Sequence, residues 1–131
     1  LTKAHPELKE QAEKFSSMLG RFAIAVEDTL IKYGKNIIDN ELPQGRLADM
    51  VIDLYIILAC ISRTTAILNS SKATQEQKDY VLRLTKYICN ESGRKIKRNL
   101  KAMSKNNDKN VIKISETVVK NGGYGFDIID F

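Results

Sequence analysis

The chain has 131 residues, a formal net charge of +5, 43% apolar side chains and 28% charged ones. That balance excludes a disordered polymer and fits one domain, residues 1–131, able to bury about two-thirds of its unfolded surface. The longest charge-free apolar run, 54–62, is about half of a membrane span, and the polar opening "LTKAHPELKE" is no signal peptide. The first residue is Leu, so the sequence reads as a piece excised from a longer polypeptide, although processing also removes an initiator Met. Seven glycines and two prolines leave few turns, which favours long helices over many short strands.

The first helix opens after "HPE", where Pro6 suits a first turn because its missing N–H costs nothing there. Apolar residues recur at Leu8, Ala12, Phe15, Leu19, Phe22, Val26, Leu30 and Tyr33. Spacings of three and four define one face of an α-helix. Gly34 is placed for a cap, with "KNIIDNE" adding a further turn. His5, the single histidine, reads as a residue of a frayed end.

The second helix is carried by "RLADMVIDLYIILACISRTTAIL", charged at its start and apolar on every side from Leu54 to Ile61. A helix that is apolar all round belongs at the centre of a bundle or against another domain. Its charged positions, Arg46, Asp49, Asp53 and Arg63, read either as ion pairs that fix helix register or as the edge of a docking surface. Asp49 and Asp53, four apart, are the one carboxylate pair with a spacing suited to acid–base chemistry, and ion pairing is the stronger reading.

"SSKAT" is a loop that feeds a third helix through a capping box, Thr74 with Gln77. Its expected core stripe is Val81, Leu84, Ile88, Ser92, Ile96, Leu100 and Met103. A short fourth helix starts at Asn107 or Asp108, carries Val111, Ile114 and Val118 inward, and stops at Asn121-Gly122-Gly123. The tail, with Tyr124, Phe126, Ile128, Ile129 and Phe131, is expected to lie on the bundle or on a partner. Short connections make neighbouring helices antiparallel, so the expected fold is all-α, an up-and-down four-helix bundle.

Charge is uneven along the chain. Residues 1–65 hold eight Lys/Arg against nine Asp/Glu, and residues 66–131 hold thirteen against seven. Arg94, Arg98, Lys101 and Lys105 form a ridge on the third helix opposite its apolar stripe, widened by Lys95 and Lys97. A solvated face near a helix carboxyl end is the plain reading; contact with an anionic membrane surface is the sharper one. No aromatic residues interleave with these cations, so nucleic acid is not the expected partner. No nucleophile–base set, phosphate loop or metal cluster is present: no catalytic, cofactor-binding or metal-ligating residue is assigned. Cys60 and Cys89 each sit within a helix and read as buried thiols, with a disulfide the alternative.

The stretches "GRFAIAVEDTLIKYGKNIIDNE" and "GRLADMVIDLYIILACISRTTAIL", with "HPEL" before them and "GG" near the end, carry a resemblance. They resemble the carboxyl-terminal helical domain of the very-long-chain acyl-CoA dehydrogenases and of acyl-CoA dehydrogenase family member nine. The resemblance implies a non-catalytic, vestigial bundle. It packs on a parent flavoprotein in the mitochondrion, on the matrix side of the inner membrane, and favours a dimer. FAD and the catalytic glutamate of fatty acid β-oxidation would belong to the parent catalytic domain, with none in these residues. Implied partners are that domain or a second subunit, the anionic inner membrane, or a respiratory complex I assembly factor.

Overall fold

Four α-helices and no strand occur among the described residues, 3–126, of the computed structural model. Ile128, Ile129 and Phe131 of the apolar tail lie outside them. Pro6 opens a short 3-10 turn, Pro6–Leu8, that leads into α1, Lys9–Tyr33. His5 is not frayed: its Nδ1 accepts the Glu7 N–H at 3.1 Å, and its own N–H donates to Thr65 Oγ1 at 3.1 Å. Gly34 ends α1 with φ of +52°, a backbone conformation that glycine adopts without a Cβ clash. The extra turn after it is a 3-10 stretch, Gly34–Asp39. α2 spans Glu41–Leu68, α3 Gln75–Ser104 and α4 Asp108–Asn121. The capping box is formed: Gln77 N–H donates to Thr74 Oγ1 at 3.1 Å, and Thr74 N–H donates to Gln77 Oε1 at 2.9 Å.

α2 and α3 run antiparallel. The Thr64 hydroxyl bonds to Thr85, and Ile57 shares a cleft with Gly93, so numbering falls along α2 as it rises along α3. α2 and α3 share the most extensive interface, and α1 packs on both. Leu8, Phe15, Met18, Met50, Leu54, Ile57, Ile61, Cys89 and Ile96 form the core, and Leu8, Met50, Ile57 and Ile96 are fully buried.

Two stripes hold in part: Leu8, Ala12 and Phe15 on α1, and Ser92 and Ile96 on α3, are buried as expected, while other positions differ. On α1, Met18 and Thr29 turn inward while Leu19 and Leu30 are exposed. On α3, Thr85, Cys89, Ser92 and Gly93 face the core, and Leu84 is exposed. Small side chains on α3 leave room for Met18: a Cβ on Gly93 would lie 3.6 Å from Met18 Sδ, an ordinary contact. α4 departs furthest from expectation. No residue of it is buried, and Val111, Ile114 and Val118 are exposed. It flanks the three-helix core at the junction of α1 and α2, alongside Tyr33, Leu42 and Pro43.

Candidate functional site

α2 is not enclosed by its sisters. Met50, Asp53, Leu54, Ile57, Ile61 and Thr64 face the core. The opposite face carries Ala48, Val51, Ile52, Tyr55, Leu58, Ala59, Ser62 and Ala66, all exposed. At 3.6 residues per turn these eight positions form one strip about 27 Å long, without a charge. Tyr55 is 70% exposed, Ile52 58%, Val51 51% and Leu58 37%. The expectation of a helix dry on every side is therefore corrected: the mid-helix is apolar all round, but only half of it is covered. An 18-residue window of α2 with mean hydropathy 1.8 meets the length and composition of a membrane span, and 28% of that window is buried. An unbroken apolar run is thus not the only route to that hydropathy. A core face and an uncovered apolar face on one helix produce it together.

The four charged positions of α2 are not brought together. Arg46 pairs with Asp108 at the start of α4, through Nη1 to Oδ2 at 2.7 Å and Nη2 to Oδ1 at 2.5 Å, and not with Asp49. The hydrogen bond from Arg46 lowers the Asp108 carboxyl below its ordinary range and raises the Arg46 guanidinium. Sequence reasoning missed Asp108, because two charges 62 residues apart carry no local signal. Asp53 is buried on the side of α2 that faces α3, and Asp49 and Arg63 are exposed. None of these three makes an ion pair among the described residues. Asp49 and Asp53 thus lie in different environments and share no acid–base site.

Arg94, Arg98, Lys101 and Lys105 are all exposed along the outer side of α3, with Ser92 and Ile96 buried opposite them. Arg94 pairs with Glu91 one turn earlier, at 2.9 Å. Cys60 and Cys89 are free thiols on facing positions of α2 and α3. Burial pushes Cys89 up from its ordinary value near 9 to about 11, and raises Cys60 too, so neither is an activated nucleophile.

Comparison with known proteins places the chain in a family. The family described as "ACAD9/ACADV, C-terminal domain" matches residues 6–124. Very long-chain specific acyl-CoA dehydrogenase, mitochondrial, from Rattus norvegicus is 32% identical over 124 residues, and those from Mus musculus and Homo sapiens are each 31% identical. Each alignment covers 91% of this chain and 18% of the relative, so the chain spans less than a fifth of the proteins it matches. An all-α chain whose helices match this domain nearly end to end belongs to the family of C-terminal domains of very-long-chain-type acyl-CoA dehydrogenases.

Proposed function

We propose that this chain is the non-catalytic C-terminal domain of a mitochondrial acyl-CoA dehydrogenase of the very-long-chain type, and that it docks on the parent catalytic portion through the outer face of α2. The observation that supports this is the charge-free strip from Ala48 to Ala66, with four large apolar side chains in water. A contiguous apolar strip rimmed by charges, here Asp49 and Arg63, is what an interface core looks like before its partner arrives. In this reading the FAD-dependent dehydrogenation of long-chain acyl-CoA takes place in the catalytic portion, and this domain shapes the dimer. The cleft between α1 and α3 has no aromatic ring in its lining to stack a flavin, and no flavin is assigned to these residues. The basic side of α3, with Arg94, Arg98, Lys101 and Lys105, meets the anionic inner membrane from the matrix side. A respiratory complex I assembly factor is the less favoured partner, because the matched relatives are named as dehydrogenases.

The test is a titration of the full chain against the rat relative lacking its own C-terminal segment. Binding is expected, and Tyr55→Lys combined with Leu58→Glu weakens it more than tenfold while the circular dichroism spectrum is unchanged. Absence of binding, or equal binding by the variant, overturns the docking reading. Co-sedimentation with anionic vesicles at low salt tests the membrane contact, and a chain that stays in the supernatant refutes it.

A further inference from the structure

A cleft of about 540 Å³ opens between α1 and α3, and its chemistry is unlike the rest of the surface. Its floor is apolar: Met18, Ile57, Cys89 and Gly93. Four cations line it, Lys14 and Arg21 from α1 with Arg94 and Lys97 from α3. Arg21 and Lys97 make no ion pair among the described residues. Lys14 and Arg94 are held by Glu10 and Glu91, but those pairs are exposed, and exposed pairs are released at little cost.

A second observation comes from Gln11. Its side chain lines the same cleft, the residue is 9% exposed, and its buried Oε1 makes no hydrogen bond within the protein. A buried amide oxygen without a donor costs about 1–3 kcal/mol. A polar residue held at this position is accounted for when the cleft receives a group that donates to it. Gly93 lets the flexible end of Met18 lie on the cleft floor, with Sδ 3.6 Å from where a Cβ would be.

We propose that this cleft is a binding site for a phosphate ester that carries a hydroxyl group and a short apolar portion. The phosphate sits among Arg21, Lys97, Lys14 and Arg94, where Arg supplies paired donors and Lys a compact charge. The hydroxyl meets the Gln11 amide, whose oxygen turns toward it, and the apolar portion covers Met18 and Cys89. The volume is in the range of small-ligand sites. A soluble phosphate ester and the headgroup of a single-chain lipid share this chemistry. The site is separate from the outer face of α2, so it stands whether or not that face docks.

Isothermal titration of the full chain with glycerol 3-phosphate and with hexanoyl lysophosphatidic acid tests the proposal and separates the two sources. One-to-one saturation by at least one probe is expected. The lipid binding at least tenfold tighter assigns a headgroup; equal affinities assign a soluble ester. Gln11→Leu is expected to weaken binding at least fivefold, and Arg21→Ala with Lys97→Ala at least tenfold. Thermal unfolding of the unliganded Arg21→Ala, Lys97→Ala variant is expected to stay within a few degrees of the parent chain, and Gln11→Leu is expected to unfold at the same temperature or higher. Gln11→Leu leaves co-sedimentation with anionic vesicles unchanged, because diffuse attraction to a charged surface does not involve that amide. Failure of both probes to saturate, or equal binding by parent and variants, overturns the proposal.

Discussion

Arg46 lies near the amino end of α2, where the helix dipole disfavours a cation, yet it is the residue that ties α4 to the core. Asp108 resolves the conflict. It occupies the first turn of α4, where a carboxylate is favoured, and meets Arg46 in a two-pronged pair whose side chains are only 19% and 16% exposed. Asp108→Asn is expected to loosen α4 by about 1–2 kcal/mol, read as faster amide exchange along α4 with α1 to α3 unchanged. The sign with pH follows from the carboxyl being held below its ordinary value. The contribution is complete at neutral pH and is lost as pH falls through the lowered pKa, below the ordinary aspartate value of about 4. Protection of α4 amides measured across that acid range should fall before the core opens. Asp53 is buried with no ion pair among the described residues, and Asp53→Leu is expected to raise stability by about 1–3 kcal/mol in urea unfolding. A loss of stability would mean that the carboxylate is satisfied by bound water that the leucine displaces.

The start of α3 and the stop of α4 are set by local residues and are legible in the sequence. Thr74 and Gln77 announce the start of α3 by type and spacing. Thr74→Ala is expected to cost about 1 kcal/mol by thermal or chemical unfolding, because the Gln77 N–H then loses its acceptor. Gly122, with φ of +73°, ends α4 where the "NGG" pattern places the stop. The faces of the helices were less legible. Leu19 and Met18 are adjacent on α1 and equally apolar, so periodicity cannot choose between them; the closeness of α3 does, and selects Met18 to fill the space over Gly93. Likewise Thr85 and Cys89 displace Leu84 and Ile88, because a tight helix pair rewards small side chains over large ones. The apolar surplus of α2 was legible but not which face stays uncovered, and the cleft around Gln11 was not legible. A face is exposed or covered according to where other helices stop, and no residue of α2 encodes that.

At the scale of the molecule, three helices hold one core and a fourth is attached at its edge. Ile96 is fully buried, and Ile96→Ala is expected to cost about 2–5 kcal/mol of global stability in urea unfolding. Val111→Ala on α4 should change the same measurement by less than about 0.5 kcal/mol, since that side chain stays half in water. Unfolding that responds equally to both would show that α4 is part of the cooperative unit. The molecule also keeps apolar surfaces, among them the outer face of α2 and the stripe of α4, away from its own core. That division gives a chain that folds around α1 to α3 and has apolar surface left for contact with another body.

Composition, periodicity and capping residues determined by themselves that this chain is all-α, how many helices it has and where α3 and α4 begin and end. Those properties depend on neighbours within a turn or two, so they are written locally. Which half of α2 is covered, which acid Arg46 finds, and whether α4 is core or flank were decided only by the tertiary structure. They depend on the distance between helix axes and on where each helix stops. Residues far apart in the chain set those quantities jointly through packing.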